Sequence, residues 1–292
     1  MQVSRGGGQC SVLTLLEDLS HPLCVPRQSR ALSLLIYLSS EWLPISSTGH
    51  MILVNELMNT SDGFFGSQIY LYVIQLGAIL AIATLYFKKL NPFSPSKSYS
   101  EKKDTWHMWF KVIAACLPAA VFGLLLNDFM DKFSTPTIVS AMLIIYGIGF
   151  LFVEKKKNTA LITDMKDMTY KTAILIGLFQ VLSIIPGTSR SGATILGAML
   201  IGTSRSLAAE FSFFLAIPVM FGVSLLKIVT NTYLMSAHEW MLLIAGMVVS
   251  YAVSMVAVKF LVNYVRKHDF KVFGWYRIVL GVLVLLFFAI FG

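Results

Sequence analysis

The stretch WLPISSTGHM (residues 42–51) interrupts an apolar segment with a proline, two serines, a threonine, a glycine and a histidine. Backbone groups inside a bilayer must be hydrogen-bonded within the protein, and polar side chains there are costly. A second stretch, PGTSRSG (residues 186–192), breaks the apolar run of residues 172–202 in the same way. The arms on either side are about 10–15 residues long, too short to cross a bilayer core of about 30 Å. Interrupted segments at matching places in two halves of a chain are typical of re-entrant hairpins or broken helices.

The composition is that of a membrane protein. Of 292 residues, 56% are hydrophobic and 13% are charged, whereas a soluble domain has about 25% charged residues. Six apolar stretches have the length of a transmembrane helix. They are residues 69–87, 108–126, 136–153, 207–227, 239–261 and 275–291. The sequence therefore predicts an all-α integral membrane protein with about six transmembrane helices and two opposed re-entrant helical hairpins.

Basic residues predict the orientation of the chain. The net charge of +8 is concentrated in three loops, residues 88–111, 154–171 and 266–277, the last of which ends with Arg277. Loops rich in lysine and arginine stay on the cytoplasmic side, so all three are predicted to lie there. Because the basic residues lie in loops that set the orientation, we expect the protein to contact membrane lipids and not nucleic acid.

The two hairpins then enter from opposite faces. Residues 172–202 begin and end on the cytoplasmic side, and residues 31–58 begin and end on the outer side. Their tips, residues 44–50 and 186–192, are predicted to face each other inside the membrane. This pattern predicts a multi-pass protein with a site reached from the outer side.

The two halves align by spacing. Pro44 and Pro186 are 142 positions apart, and this offset superposes the two polar stretches. We interpret residues 31–292 as one integral-membrane domain with an inverted repeat, its halves at about 31–153 and 172–292. Residues 1–30 contain three consecutive glycines and no sustained apolar run, which favours an atypical leader without a packed core.

The tips collect the polar side chains that reaction chemistry requires. Glycines at both tips allow tight turns and a close approach of the backbone. An arginine fork matches phosphate oxygens, and an acid, a hydroxyl and an imidazole can activate or supply a nucleophile. We therefore predict a site that hydrolyses a phosphoanhydride. Its residues are Glu41, Ser46, Ser47, Thr48, Gly49 and His50 on the first tip, and Gly187, Thr188, Ser189, Arg190, Ser191, Gly192 and Thr194 on the second.

Two motifs resemble a known family. EWLPISSTGHMILV (residues 41–54) and PGTSRSGATILGAML (residues 186–200) are similar to the signature motifs of the bacterial undecaprenyl-diphosphate phosphatase, or bacitracin-resistance, family. VIQLGAILA (residues 73–81) and EFSFFLAIPVM (residues 210–220) also look like that family. The resemblance implies removal of the terminal phosphate from undecaprenyl diphosphate, which recycles a lipid carrier for cell-wall synthesis and confers bacitracin resistance. It also implies a homodimer in the bacterial plasma membrane, an extracytoplasmic active site, and a divalent cation, Mg²⁺ or Ca²⁺.

The same resemblance assigns roles by position. Glu41, Ser47, His50 and Arg190 match the catalytic residues, and Glu41 is also the metal ligand that the family implies. By the same resemblance Ser46, Thr48, Ser189 and Ser191 line the pocket. From the tip pattern itself we add Gly49, Gly187, Thr188 and Gly192 as phosphate-binding residues. The nucleophile is Ser47 or His50, and we favour Ser47 with His50 as its proton partner.

One position departs from the family pattern. The family usually has a second glutamate four residues before the one at Glu41, and here that place is taken by Tyr37. If that carboxylate helps to hold the cation, this chain is weakly active or inactive. An alternative function is transport of a polyprenyl phosphate across the membrane, because opposed re-entrant tips in inverted repeats are also common in transporters.

Overall fold

The computed structural model describes residues 36–47, 49–51, 67–131, 135–155, 160–230 and 235–291. The predicted leader, residues 1–30, and much of the second arm of the first hairpin lie outside these ranges. Helices dominate the described residues, and one 3₁₀ turn, Leu182–Ile184, follows α5. The helices are α1 (Gln68–Leu85), α2 (Phe87–Leu90), α3 (Tyr99–Asp131), α4 (Pro136–Lys155), α5 (Tyr170–Val181), α6 (Arg190–Ile201), α7 (Arg205–Thr230), α8 (Ala237–Val265) and α9 (Lys271–Phe291).

Five of these helices, α3, α4, α7, α8 and α9, are long and apolar enough to cross a membrane. α1 coincides with the remaining predicted span, residues 69–87, but its 18 residues reach only about 27 Å. Large apolar side chains on the long helices face outward, with Leu124 and Val256 at least 70% exposed. Such extensive apolar exposure requires a surrounding lipid phase. The structure thus confirms an all-α, multi-pass membrane protein.

Helices from the two predicted halves pack against each other through glycines. A Cβ at Gly77 of α1 would lie 2.1 Å from the carbonyl oxygen of Met247 in α8. A Cβ at Gly147 of α4 would lie 2.7 Å from the carbonyl oxygen of Gly274 in α9. Small residues let membrane helices approach closely, where packing contacts replace the missing hydrophobic driving force. The halves are therefore interlocked and do not form separate bundles.

The core of the bundle lies around α7. Phe211, Phe213 and Phe214 are fully buried there, and Trp42 from the first hairpin meets Phe213 edge-on, with ring centroids 5.6 Å apart. Aromatic pairs in this geometry contribute about 0.5–1.5 kcal/mol beyond the area they bury. Trp42 immediately follows Glu41, so this contact helps to fix the first tip.

The three predicted basic loops meet at one end of the bundle. Lys111 donates to the carbonyl oxygen of Met165 at 3.0 Å, and Lys166 pairs with Asp104 at 2.8 Å. The backbone amide of Phe270 donates to the carboxylate of Glu154 at 2.9 Å. We call this end the basic end. Its composition agrees with the prediction that the three loops share one side of the membrane.

Two polar residues at this end pair across helices. Glu210 of α7 forms an ion pair with Lys89 of α2 at 2.8 Å, so its side chain points away from the tips. Arg205, at the start of α7, pairs with Glu154, at the end of α4; its Nε donates to Oε1 at 2.9 Å. These contacts tie the second hairpin's exit to the end of α4.

The second hairpin is re-entrant, as predicted. α5 and α6 have 12 residues each, which gives about 18 Å per arm and is too short to cross the bilayer. In the first hairpin, residues 36–42 are helical, residues 43–45 form a turn, and residues 47 and 49–51 are helical again. Residues 52–66 lie outside the described ranges, so the full inverted repeat and its domain bounds stay predictions.

Candidate active site

The two tips share one backbone feature, a serine in a left-handed conformation. Ser46 and Ser189 both have positive φ angles, 69° and 70°, a left-handed conformation that is uncommon for residues other than glycine. The Ser46 hydroxyl accepts from the amide of Gly49 at 3.4 Å, and the Ser189 hydroxyl accepts from the amide of Gly192 at 3.3 Å. Each serine therefore caps the helix that follows it and turns the free amides of that helix toward the junction.

The capping serines shift the predicted alignment of the two tips by one residue. The capping serines are 143 positions apart, whereas the alignment by Pro44 and Pro186 gave 142 and matched Ser46 with Thr188. The second tip has one more residue between its proline and its cap. Gly187, with φ 90°, lies in that longer turn. An alignment on the two prolines is therefore one residue out of register at the capping serines, because the turns that follow the prolines differ in length.

Ser47 is paired with a carboxylate. Its hydroxyl donates to Oε2 of Glu41 at 3.2 Å, across the turn that separates the two helical segments of the first tip. The predicted pairing of Ser47 with His50 is not formed, since the imidazole is bonded elsewhere. Glu41 is thus the group placed to accept the proton of Ser47.

The ring of His50 has a partner at each nitrogen. Nδ1 lies 2.7 Å from the carbonyl oxygen of Ser46, and Nε2 lies 2.6 Å from the hydroxyl of Tyr276. Tyr276 belongs to α9 and was not among the predicted site residues.

Arg190 is the first residue of α6, and its guanidinium is only partly satisfied. Nη1 donates to the carbonyl oxygen of Ser212 at 3.1 Å, and the guanidinium carbon lies 5.9 Å from the ring of Trp42. Nε and Nη2 are buried and have no hydrogen-bond partner among the described residues. Arg190 and Glu41 attract each other, but they do not form a direct ion pair. Two charge-bearing donors are thus left for a bound group.

The tips are joined by direct hydrogen bonds. The Ser191 hydroxyl donates to the carbonyl oxygen of Leu43 at 3.2 Å and approaches that of Glu41 at 3.4 Å. The hydroxyls of Thr194 and Ser212 are 2.7 Å apart beneath the second tip. Thr188 is fully buried, and its hydroxyl lacks a partner among the residues that the structure describes. The predicted residues of both tips are therefore brought together, while Thr48 lies outside the described ranges.

Arg277 is the residue that the sequence interpretation placed wrongly. It was assigned to a cytoplasmic loop, but it lies inside α9 and is fully buried. Nη1 donates to the carbonyl oxygen of Pro44 at 3.2 Å, and Nη2 donates to those of Gly187 and Thr188 at 3.0 and 2.8 Å. One guanidinium thus bonds to both tips. The available signal was the apolar run that follows Arg277, which extends a helix back through that position.

The described residues offer few ligands for a cation. They contain no group of three histidine, cysteine, aspartate or glutamate side chains close enough to hold a metal ion. At the junction Glu41 is the carboxylate in reach, and Tyr37, one turn earlier, accepts a hydrogen bond from the Gln75 amide at 2.7 Å. Mg²⁺ often binds to one or two carboxylates together with substrate phosphates. Glu41 fits such a shared site, because its Oε1 is not used by Ser47.

Comparison with known proteins identifies one family. A family model described as bacitracin resistance protein BacA matches residues 38–283. A protein of Enterococcus faecalis (strain ATCC 700802 / V583) is 56% identical over 254 residues, which cover 84% of this chain and 91% of that protein. A protein of Latilactobacillus sakei subsp. sakei (strain 23K) is 54% identical over 254 residues, 84% of this chain and 92% of that protein. One of Streptococcus thermophilus (strain ATCC BAA-250 / LMG 18311) is 52% identical over 259 residues, 86% of this chain and 89% of that protein. All three are named undecaprenyl-diphosphatase.

Proposed function

The chain belongs to the bacitracin resistance protein BacA family, and from this premise we propose that it hydrolyses undecaprenyl diphosphate. The products are undecaprenyl phosphate and inorganic phosphate. The reaction returns the lipid carrier to cell-wall synthesis and supports resistance to bacitracin. The substrate is a lipid with a negatively charged diphosphate head group, so its enzyme needs both a membrane-embedded body and a polar site within that body.

The observation that carries this proposal is the half-satisfied guanidinium of Arg190. A buried charge without hydrogen-bond partners is costly, so a site that leaves Nε and Nη2 unpaired is built for an incoming anion. The planar fork of arginine matches two oxygens of a phosphate. Free amides at the start of α6 add positive potential on the same side. Together they favour the terminal phosphate of a diphosphate.

Ser47 is the proposed nucleophile. Its Oγ forms a bond to the terminal phosphorus while the bond from phosphorus to the bridging oxygen breaks, and undecaprenyl phosphate leaves with that electron pair. The hydroxyl proton passes to Glu41, whose Oε2 is 3.2 Å away. Both ring nitrogens of His50 are engaged by Ser46 and Tyr276, which disfavours His50 as the attacking group.

Water completes the cycle. It attacks the phosphorus of phosphoserine, and the bond from phosphorus to Oγ breaks. Glu41 returns its proton to the departing Oγ, and both protons of the water leave with inorganic phosphate. Arg190 stabilises the charge that develops on the phosphoryl oxygens in both steps.

A divalent cation, Mg²⁺ or Ca²⁺, is part of the proposal because the family resemblance implies it. Glu41 would hold it together with oxygens of the substrate. When bound, the cation supplies neutralisation of the diphosphate charge. The residues of this chain perform the remaining tasks: Arg190 orients the phosphate, Ser47 attacks, and the buried aromatic ring of Trp42 excludes water from one side of the guanidinium.

We also propose that the protein lies in the bacterial plasma membrane with its active site open to the extracytoplasmic side, and that it forms a homodimer. The gathering of basic loops at one end supports the orientation, because such loops stay in the cytoplasm. The first hairpin then enters from the outer face, where undecaprenyl diphosphate would reach the tips. The homodimer depends on the family resemblance alone.

The test measures phosphate release from undecaprenyl diphosphate by the purified protein in detergent with Mg²⁺. We expect release by the wild type and at least about a tenfold loss in Arg190→Ala, because a charge-stabilising donor is removed. Arg266→Ala is the matched control, since Arg266 is an exposed arginine that follows α8 at the basic end. Equal rates in Arg190→Ala and wild type would refute the site. Movement of the lipid across vesicles without phosphate release would instead support a transporter.

A further inference from the structure

The ring of His50 is held from two sides by groups other than the phosphate-binding arginine. Its Nδ1 meets the Ser46 carbonyl oxygen at 2.7 Å, and its Nε2 meets the Tyr276 hydroxyl at 2.6 Å. The rings of His50 and Tyr276 are also stacked, with centroids 5.5 Å apart and planes 12° from parallel. Three separate contacts thus define where the imidazole lies and how it is turned.

The chemistry of these partners fixes the proton. A carbonyl oxygen can only accept, so Nδ1 must carry a hydrogen. In the neutral imidazole Nε2 then has a lone pair, and the Tyr276 hydroxyl must donate to it. The Ser46 carbonyl is itself held by the left-handed turn of the first tip. The tautomer of His50 is therefore linked to the conformation of the active-site turn.

Tyr276 is placed rigidly enough for this task. It lies next to Arg277, whose guanidinium bonds to Pro44 and to the second tip. Gly274, three residues before Arg277, packs directly against Gly147 of α4, so α9 cannot move closer to α4 without a clash. The same turn of α9 therefore fixes both tips and the imidazole.

We propose that Tyr276 is a positioning residue of the active site, which acts through His50. Its hydroxyl and its ring hold the imidazole as the Nδ1–H tautomer, with Nε2 as the only basic nitrogen. Through the Nδ1–H bond to the Ser46 carbonyl oxygen, the imidazole then supports the turn that presents Ser47 to Glu41. The role of Tyr276 in turnover rests on the proposed phosphatase function.

A purely structural alternative is that His50 only provides a hydrogen-bond partner for the Tyr276 hydroxyl near lipid, since Tyr276 is partly exposed on the bundle.

Tyr276→Phe distinguishes the positioning role from this structural alternative, because it keeps the ring and removes only the hydroxyl. We expect kcat to fall about tenfold with KM within about twofold of wild type, as when a group that matters only in the transition state is lost. We also expect a changed pH profile of kcat. Unchanged kcat and an unchanged profile would overturn the proposal.

Tyr264→Phe is the matched control. Tyr264 stacks on His268 at 4.6 Å and 18°, a similar ring pair at the basic end. This variant should keep the wild-type kcat and pH profile. An equal loss of kcat in Tyr264→Phe would show that removal of any stacked tyrosine hydroxyl disturbs the bundle, and it would overturn the specific role of Tyr276.

A second measurement does not depend on turnover. Protein labelled with ¹⁵N-histidine, with the His50 signals assigned by comparison with His50→Gln, reports the tautomer directly. We expect wild-type His50 to be protonated at Nδ1, and its Nε2 resonance to move in Tyr276→Phe. Protonation of wild-type His50 at Nε2 alone would overturn the proposal even if Tyr276→Phe fails to fold. If the wild type shows the expected tautomer but releases no phosphate, the proposed function fails and the placement of His50 stands.

Discussion

Gly192 and Arg277 touch across the junction of the two tips. A Cβ on Gly192 would lie 2.7 Å from Nη1 of Arg277 and 3.3 Å from the Cβ of Ser189. The glycine therefore makes room for the guanidinium that bonds to Pro44, Gly187 and Thr188. A side chain at position 192 would crowd this buried guanidinium.

Gly192→Ala should displace Arg277 and weaken the contact between the tips. We expect at least about a tenfold lower rate of phosphate release, because small misplacements of catalytic groups are costly. Gly222→Ala is the matched control, since nothing lies within 4 Å of a Cβ placed there. It should keep full activity. A Gly192→Ala protein as active as Gly222→Ala would contradict the crowding seen at the junction.

Arg277→Met should destabilise the protein as well as inactivate it. The substitution leaves the carbonyl oxygens of Pro44, Gly187 and Thr188 without their donor, and each buried unsatisfied group costs about 1–3 kcal/mol. Thermal unfolding in detergent should therefore occur at a clearly lower temperature than in wild type. Arg266→Met, at an exposed position, serves as control. Equal melting temperatures for the two variants would show that Arg277 does not hold the tips.

Tyr37→Glu should strengthen cation binding. Residues 37 and 41 are one helical turn apart, so a carboxylate at position 37 would lie on the same face as Glu41. Activity should reach half of its maximum at a lower Mg²⁺ concentration, and Tyr37→Phe should not show this change. A Tyr37→Glu protein with the Mg²⁺ dependence of wild type would indicate that a second carboxylate is not needed in this chain.

Glu154→Gln should loosen the basic end. Glu154 accepts hydrogen bonds from Arg205 and from the Phe270 amide, and its side chain is 2% exposed. Hydrogen bonds that involve a charged group contribute about 1.5–3 kcal/mol, so thermal unfolding should shift downward. Asp269→Asn, which removes a more exposed pair with Lys271, should have a much smaller effect. Similar shifts in both variants would rule out a special role for the buried carboxylate.

Much of this structure could be predicted from local patterns. Long apolar runs of about 20 residues predict helices in lipid because a helix satisfies its backbone within the segment, and Pro44 and Pro186 mark where two such runs break. The meeting of the tips followed from the positions of the basic loops. Glu41, Ser47 and Arg190 could be named because each is a polar residue at a break in an apolar run.

The remaining parts depend on contacts between distant segments. Arg277 has the charge of a topology residue, and only the packing of α9 against α4 places its guanidinium between the tips. His50 follows Ser47 by three residues in sequence, yet the two side chains do not pair. With the left-handed turn at Ser46, the Ser47 hydroxyl bonds to Glu41 and the imidazole of His50 bonds to Tyr276. Such pairings are decided by turn geometry and by helices far away in sequence, which local patterns do not contain.

The most direct test of the account is phosphate release by Ser47→Ala. Ser183→Ala is the control, because the Ser183 hydroxyl donates to the carbonyl oxygen of Gln180 at the end of α5 and makes no contact with Ser47 or Glu41 among the described residues. Wild type and Ser183→Ala should convert undecaprenyl diphosphate to undecaprenyl phosphate and inorganic phosphate in equal amounts, and Ser47→Ala should lose at least about a hundredfold in rate, as expected for a lost nucleophile. A Ser47→Ala protein that releases phosphate at the wild-type rate would contradict the central claim that the Glu41–Ser47 pair attacks the diphosphate.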